Sequence, residues 1–158
     1  MAEELIIDKK LNKEALYSTL FPQVQALLKD EDDQLAKRAN LCAAIKETFG
    51  FLWVGFYRVI DDELVLGNFQ GPIACTRIKK GKGVCGQAWE RGEVIIVDDV
   101  DSFPGHISCS SASRSEIVLP IFNKENQVIG VLDIDHDKVN SFDKIDQQKL
   151  MELLGLLS

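Results

Sequence analysis

An α+β fold follows from three features of the sequence: helical periodicity at the two ends, strand-like alternation between them, and short polar turns joining most neighbouring strands. About six strands lie between the N- and C-terminal helices, and hairpin connections make the central sheet antiparallel. With the terminal helices packed on one face of that sheet, loops are left to form a pocket on the other. The 158 residues, 46% hydrophobic and 27% charged, are expected to form one domain over 1–158 with a sizeable core.

Residues 12–28, NKEALYSTLFPQVQALL, read as a helix or as two turns broken at Pro22, with Asn12 placed to cap the first turn. The next segment, DDQLAKRANLCAAIKETFG, carries Leu35, Ala39, Cys42, Ile45 and Phe49 at helical spacing, and Gly50 stands where a left-handed residue ends a helix. Cys42 therefore reads as a core thiol. From Phe51 the period falls to two, and FLWVGFYRVI and ELVLGNFQ form a hairpin turning at Asp61 and Asp62. PIACTRI reads as a third strand, GKGVCGQAWERG as a short helix entered through glycines and stopped at Gly92, and VIIVDDV as a further strand. A polar loop over 101–114 leads to SEIVLPIFN and QVIGVLDID, two strong strands joined at KEN, with Pro120 marking an unpaired side or a bulge. SFDKIDQQKLMELLGLLS is a helix capped at Ser141 or Asp143, with Ile145, Leu150, Leu153 and Leu157 along one face.

A net charge of −7 repels nucleic acid and anionic membrane, which leaves a small molecule or a protein as partner. No apolar run spans a bilayer, and MAEELIIDKKLNK does not resemble a secretory leader, so a cytoplasmic chain is expected. In that reducing compartment Cys42, Cys75, Cys85 and Cys109 are not a stapling framework, and with no CxxC pair a structural zinc site is not expected either.

The chemistry concentrates in a few places. In GHISCSSASRSEIVLP, Cys109 stands among serines beside Arg114, a setting in which a thiol is reachable and its thiolate favoured, and Glu116 opens an apolar strand. A reactive thiol needs a second thiol to resolve its oxidised form, and Cys75 or Cys85 can supply it. Cys75, beside Ile73 and Ala74, is otherwise an ordinary strand-core residue; Cys85 falls near a helix N-terminus, where the dipole lowers a thiol pKa. GKGVCG has the letters of a dinucleotide fingerprint without the strand, long helix and ribose-binding acid that the fingerprint needs. In LDIDHD, Asp133, Asp135 and Asp137 share one strand face while Ile134 and His136 take the other. Asp137 is expected to be solvated, whereas Asp133 and Asp135, after the buried-looking VIGVL, require something positive, such as an ammonium group or a hard cation. Trp53, Gly55 and Tyr57 share a face too; as plain core they need no further account, and as a pocket wall Gly55 would leave a slot between the rings for a methyl, a thioether or a cation.

Together WVGFY, LVLGNFQGPIACTRIKKGKGVCG, DSFPGHISCSSASRSEIVLP and VIGVLDID resemble the free methionine-(R)-sulfoxide reductases, GAF domains that act on the unbound amino acid. The resemblance covers most of 51–137. It implies that Cys109 attacks the sulfoxide sulfur and becomes a sulfenic acid, that Cys75 then forms a disulfide with it, and that thioredoxin restores both thiols. Cys85 matches a family cysteine whose role stays open between resolving, relaying and supporting. A carboxyl held protonated near Cys109 would act as general acid; Glu116 is chosen, with Asp133 and Asp135 as rivals. The remaining carboxylates would hold the substrate ammonium, Trp53 and Tyr57 its methyl and sulfur, and main-chain amides in the loops its carboxylate. No cofactor or metal is required, and a homodimer is left open. Two other readings compete: a GAF sensor that binds a small molecule without catalysis, normally feeding an attached output domain, and a metal-dependent redox switch built on Asp133, Asp135 and His136.

Overall fold

The computed structural model describes residues 4–158. Two helices open the chain, α1 (Lys13–Leu28) and α2 (Gln34–Phe49). The side chain of Asn12 accepts the Ala15 amide and that of Asp33 the Ala36 amide, so both first turns are capped as short polar residues cap them. Pro22 does not break α1: it sits on the exposed side of one continuous helix, where a missing backbone donor leaves nothing buried unpaired. Gly50 ends α2 with φ 67°.

The sheet contains β1 (Trp53–Ile60), β2 (Glu63–Gln70), β3 (Arg77–Lys79), β4 (Ile95–Val97), β5 (Ser115–Phe122) and β6 (Val128–His136). Their order is β3-β2-β1-β6-β5-β4, with every pair antiparallel. Asp61 and Asp62, both at positive φ, make the β1–β2 turn. A short helix, α3 (Gly83–Arg91), joins β3 to β4, and α4 (Lys144–Gly155) closes the chain behind a capping box of Asp143 and Asp146. Pro120 lies past the end of β4, and the β5–β6 register slips at Ile121/Phe122.

Two expected strands are shorter than the apolar runs that suggest them. Of PIACTRI only Arg77 and Ile78 pair, with β3 running on to Lys79, and of VIIVDDV only Ile95–Val97. Before β3 the chain turns at Gly71 (φ 139°), and Cys75 is drawn off the sheet by a disulfide to Cys109. After β4, Asp99 accepts the Asp101 amide and starts a single 3-10 turn over 100–102.

Alternation along the strands divides the molecule into two apolar layers. Val54, Phe56, Ile117, Leu119, Leu132 and Ile134 point to one face and pack with Tyr17, Leu20, Leu41, Ile45, Leu150 and Leu153 from α1, α2 and α4. Each such aliphatic side chain, fully buried, contributes about 1.5–3 kcal/mol. Trp53, Tyr57, Val118 and Val131 point to the opposite face, which α3 covers with Val84, Cys85, Ala88 and Trp89. Among the described residues, no helix is long and apolar enough to cross a membrane.

Candidate active site

The cleft lies on the α3 side of the sheet. Its wall comes from β1, where the Trp53 indole stacks between Tyr57 (6.0 Å between centroids) and Phe69 (5.2 Å). The slot expected above Gly55 is closed, because the indole itself lies there: a Cβ on Gly55 would stand 2.4 Å from the Trp53 ring and 2.5 Å from Phe69 Cβ. Gly55 is thus the seat of the indole, and the free surface of the wall is the indole and the Tyr57 ring.

The floor comes from β5 and β6. Register places Glu116 opposite Asp135 and Val118 opposite Asp133, while Gly55 of β1 meets Asp133 from the other side. Glu116 and Asp133 are buried, at 5% and 6% exposure, and Ser113 donates to Asp135 at 2.9 Å. Buried acids with no cation beside them resist ionisation. Burial, then the neighbouring Asp133 and Asp135, hold the Glu116 carboxyl well above its ordinary range. Asp135 is raised by burial and by Asp133. Burial raises Asp133 too, and hydrogen bonds with Glu116 and Cys85 work against that rise. Its Oδ1 is buried with no hydrogen-bond partner.

Helix α3 brings Cys85 down onto this floor, with Sγ 4.0 Å from Glu116 Oε2. The thiol lies near the helix N-terminus, as expected, yet its pKa moves the opposite way. Burial, with Asp133 and Glu116 adjacent, holds it well above the ordinary thiol range, so local charge and desolvation outweigh the dipole. Cys42 lies on the far side of the sheet, where burial pushes its thiol up to about 12.

Two loops form the mouth. Cys75, in the segment after Gly71, is bonded to Cys109, in the loop before β5, with their Cα atoms 5.4 Å apart. Both cysteines are partly exposed. The wall holds the first of these loops, since Trp53 Nε1 donates to Pro72 O at 3.1 Å and Tyr57 OH to Cys75 O at 2.8 Å.

Trp53, Tyr57, Cys85, Cys109, Glu116, Asp133 and Asp135 all line the one cleft, with Cys75 tied to it through Cys109. His136 does not join them; it sits edge-on to Phe51 at 5.4 Å, 3.4 Å from Asp137, so Asp133, Asp135 and His136 do not converge on a common ion. Arg114 is exposed and lies outside the lining, and Lys82 supplies the cation at the rim.

Sequence reasoning overlooked three contributors. His106 stands 3.8 Å from Glu116 Oε1, with burial lowering its pKa against the opposing pull of Asp101 and Asp133. Ser113 holds Asp135. Gly83, Val84 and Cys85, in the first turn of α3, line the cleft, and no side chain caps that turn. Gly83 itself has φ 62°, and a Cβ there would press on Ile107 at 3.2 Å. His106 and Ser113 stand in the same loop as Cys109, which is the signal that could have found them.

The GAF domain family model matches residues 39–158. GAF domain-containing protein A of Dictyostelium discoideum is 58% identical, covering 99% of each chain. The free methionine-R-sulfoxide reductase of Escherichia coli is 47% identical over 93% of this chain and 89% of its own. The X-ray structure of free methionine-R-sulfoxide reductase from Neisseria meningitidis, in complex with its substrate, superposes with a TM-score of 0.95 at 49% identity, covering 99% of this chain and 93% of that one. A thiol pair at the mouth, an acid floor and an aromatic wall thus sit on a scaffold shared along nearly its whole length with these enzymes, and the chain belongs to the GAF domain family, within the group of the free methionine-R-sulfoxide reductases.

Proposed function

We propose that the chain reduces free L-methionine-(R)-sulfoxide to methionine in the cytoplasm, with electrons drawn from thioredoxin. The observation that carries this reading is the Cys75–Cys109 disulfide at the mouth of a cleft floored by Glu116, Asp133 and Asp135. The names of the relatives in Escherichia coli and Neisseria meningitidis support it.

The Cys109 thiolate attacks the sulfoxide sulfur while Glu116, kept neutral by burial, gives its proton to the oxygen. The oxygen passes to Cys109 as a sulfenic acid and methionine leaves, the substrate sulfur having gained two electrons. Cys75 displaces water from the sulfenic acid and forms the disulfide, which thioredoxin reduces by exchange. Cys85 keeps its proton in the buried floor, which suits a supporting role beside Glu116 better than a resolving one. Asp133 and Asp135 take the substrate ammonium, and the Asp133 oxygen without a partner is the acceptor it meets. Trp53 and Tyr57 hold the methyl and sulfur, and the free amides of α3 hold the carboxylate. A methionine inside a peptide offers neither terminal charge, so the cleft selects the free amino acid.

The test is thioredoxin-coupled oxidation of NADPH with each epimer of free methionine sulfoxide. The R-epimer is expected to be consumed, and Cys109→Ser to lose at least roughly a thousandfold in kcat/KM. Unchanged turnover in Cys109→Ser would remove the reading.

A further inference from the structure

We propose that the floor of the cleft also binds one zinc-class divalent cation, through Cys85 Sγ, Glu116 and Asp133, in competition with the substrate. One ligand atom from each of these residues lies within 4.8 Å of the others, and Cys85 Sγ stands 4.0 Å from Glu116 Oε2. In a tetrahedral site, with sulfur at about 2.3 Å and oxygen at about 2.1 Å from zinc, such atoms are about 3.6 Å apart. Small rotations of three side chains therefore close the site, and all three residues line the cleft.

A group of acids alone does not make a metal site. Here a second observation points to a ligand: Asp133 is 6% exposed, and its Oδ1 has neither protein partner nor solvent contact. A buried acceptor left in that state is destabilising, and a cation relieves it. A substrate ammonium would relieve it too, which is why the two compete; this clause rests on the reductase reading. The thiol decides the class of metal, because a sulfur beside two oxygens favours zinc-like ions over magnesium or calcium.

Coordination displaces the proton of the Cys85 thiol, nothing is oxidised or reduced, and affinity therefore rises with pH.

Cobalt(II), an optical stand-in for zinc, tests the site on the oxidised chain. With Cys75 and Cys109 in their disulfide, only Cys42 and Cys85 can supply a thiolate. One equivalent of cobalt should give a sulfur-to-metal charge-transfer band that persists in Cys42→Ser, disappears in Cys85→Ser and weakens at least about tenfold in affinity in Asp133→Asn. Circular dichroism confirms that each variant is folded, and the Asp133→Asn titration decides the matter if Cys85→Ser is not. Absence of the band, or a band that survives Cys85→Ser and falls with Cys42→Ser, overturns the site. Zinc held in a metal buffer at nine times its dissociation constant should raise the apparent KM for the sulfoxide about tenfold with kcat unchanged; an unchanged KM overturns the competition. A chain without sulfoxide turnover would sink the reductase reading, while the cobalt titration would still decide the metal site.

Discussion

Asp146 and Asp133 are both buried carboxyls on opposite sides of one sheet, and their surroundings could hardly differ more. Asp146, under the terminal helices, receives Lys13 Nζ at 2.6 Å, Tyr17 OH at 2.7 Å and the Asp143 amide at 2.9 Å. Asp133, under α3, has two further acids and a thiol for neighbours and an oxygen that meets nothing. A buried acid whose partners are all supplied by the chain ties elements together. One whose partners are withheld marks the place where a partner arrives from outside. The terminal helices anchor one face of the sheet, and the other carries the clustered acids.

Substitutions can break this contrast, beginning where the effect should be greatest. Glu116→Gln should lower kcat for sulfoxide reduction by roughly 10²–10⁴-fold, because the amide cannot supply the proton, and urea unfolding should show no loss of stability. A variant that is fast but unstable would place Glu116 in the same class as Asp146. Asp146→Ala should do the reverse, costing about 3 kcal/mol through the stranded Lys13 and Tyr17, or about 10 °C in a thermal melt, with kcat/KM of the folded fraction unchanged. Asp133→Asn should raise KM about tenfold with little change in melting temperature, since the proposed ammonium acceptor is lost while an amide of the same shape fills its place.

The smallest effect concerns pH. The folded chain keeps a proton on Glu116 that the unfolded chain releases above its ordinary value of 4.5, so the native state binds more protons and stability falls as pH rises from there. Unfolding free energies at about pH 5 and about pH 8 should therefore differ less in Glu116→Gln than in the wild-type chain. An equal or steeper slope in the variant would mean that the acid is not held neutral.

Much of this contrast was legible because a strand has period two. That parity alone places Trp53 and Tyr57, and Asp133 and Asp135, each pair on a single face, and it sends His136 away from the acids. It could not show that Glu116 lies opposite Asp135 while Gly55 lies opposite Asp133, because those pairings join segments remote in the chain. Nor could it show that residues 72–76 stay off the sheet, since Cys75 is held by a residue 34 positions away. Cys85 illustrates a second kind of blindness: a helix N-terminus is written in local sequence, whereas the acids that overrule it come from β5 and β6. The space over Gly55 failed for a third reason, because a glycine records that room is needed and not which side chain takes it.

The wall that Trp53 and Tyr57 build is hydrogen-bonded to the segment that carries Cys75, through Pro72 O and Cys75 O. When the disulfide opens, the polarity around the indole must change with the loop it grips. The molecule therefore contains its own optical gauge: emission from Trp53, one of two tryptophans in the chain, should shift on adding a dithiol, and Trp89→Phe would isolate that signal and follow each turnover without any added dye.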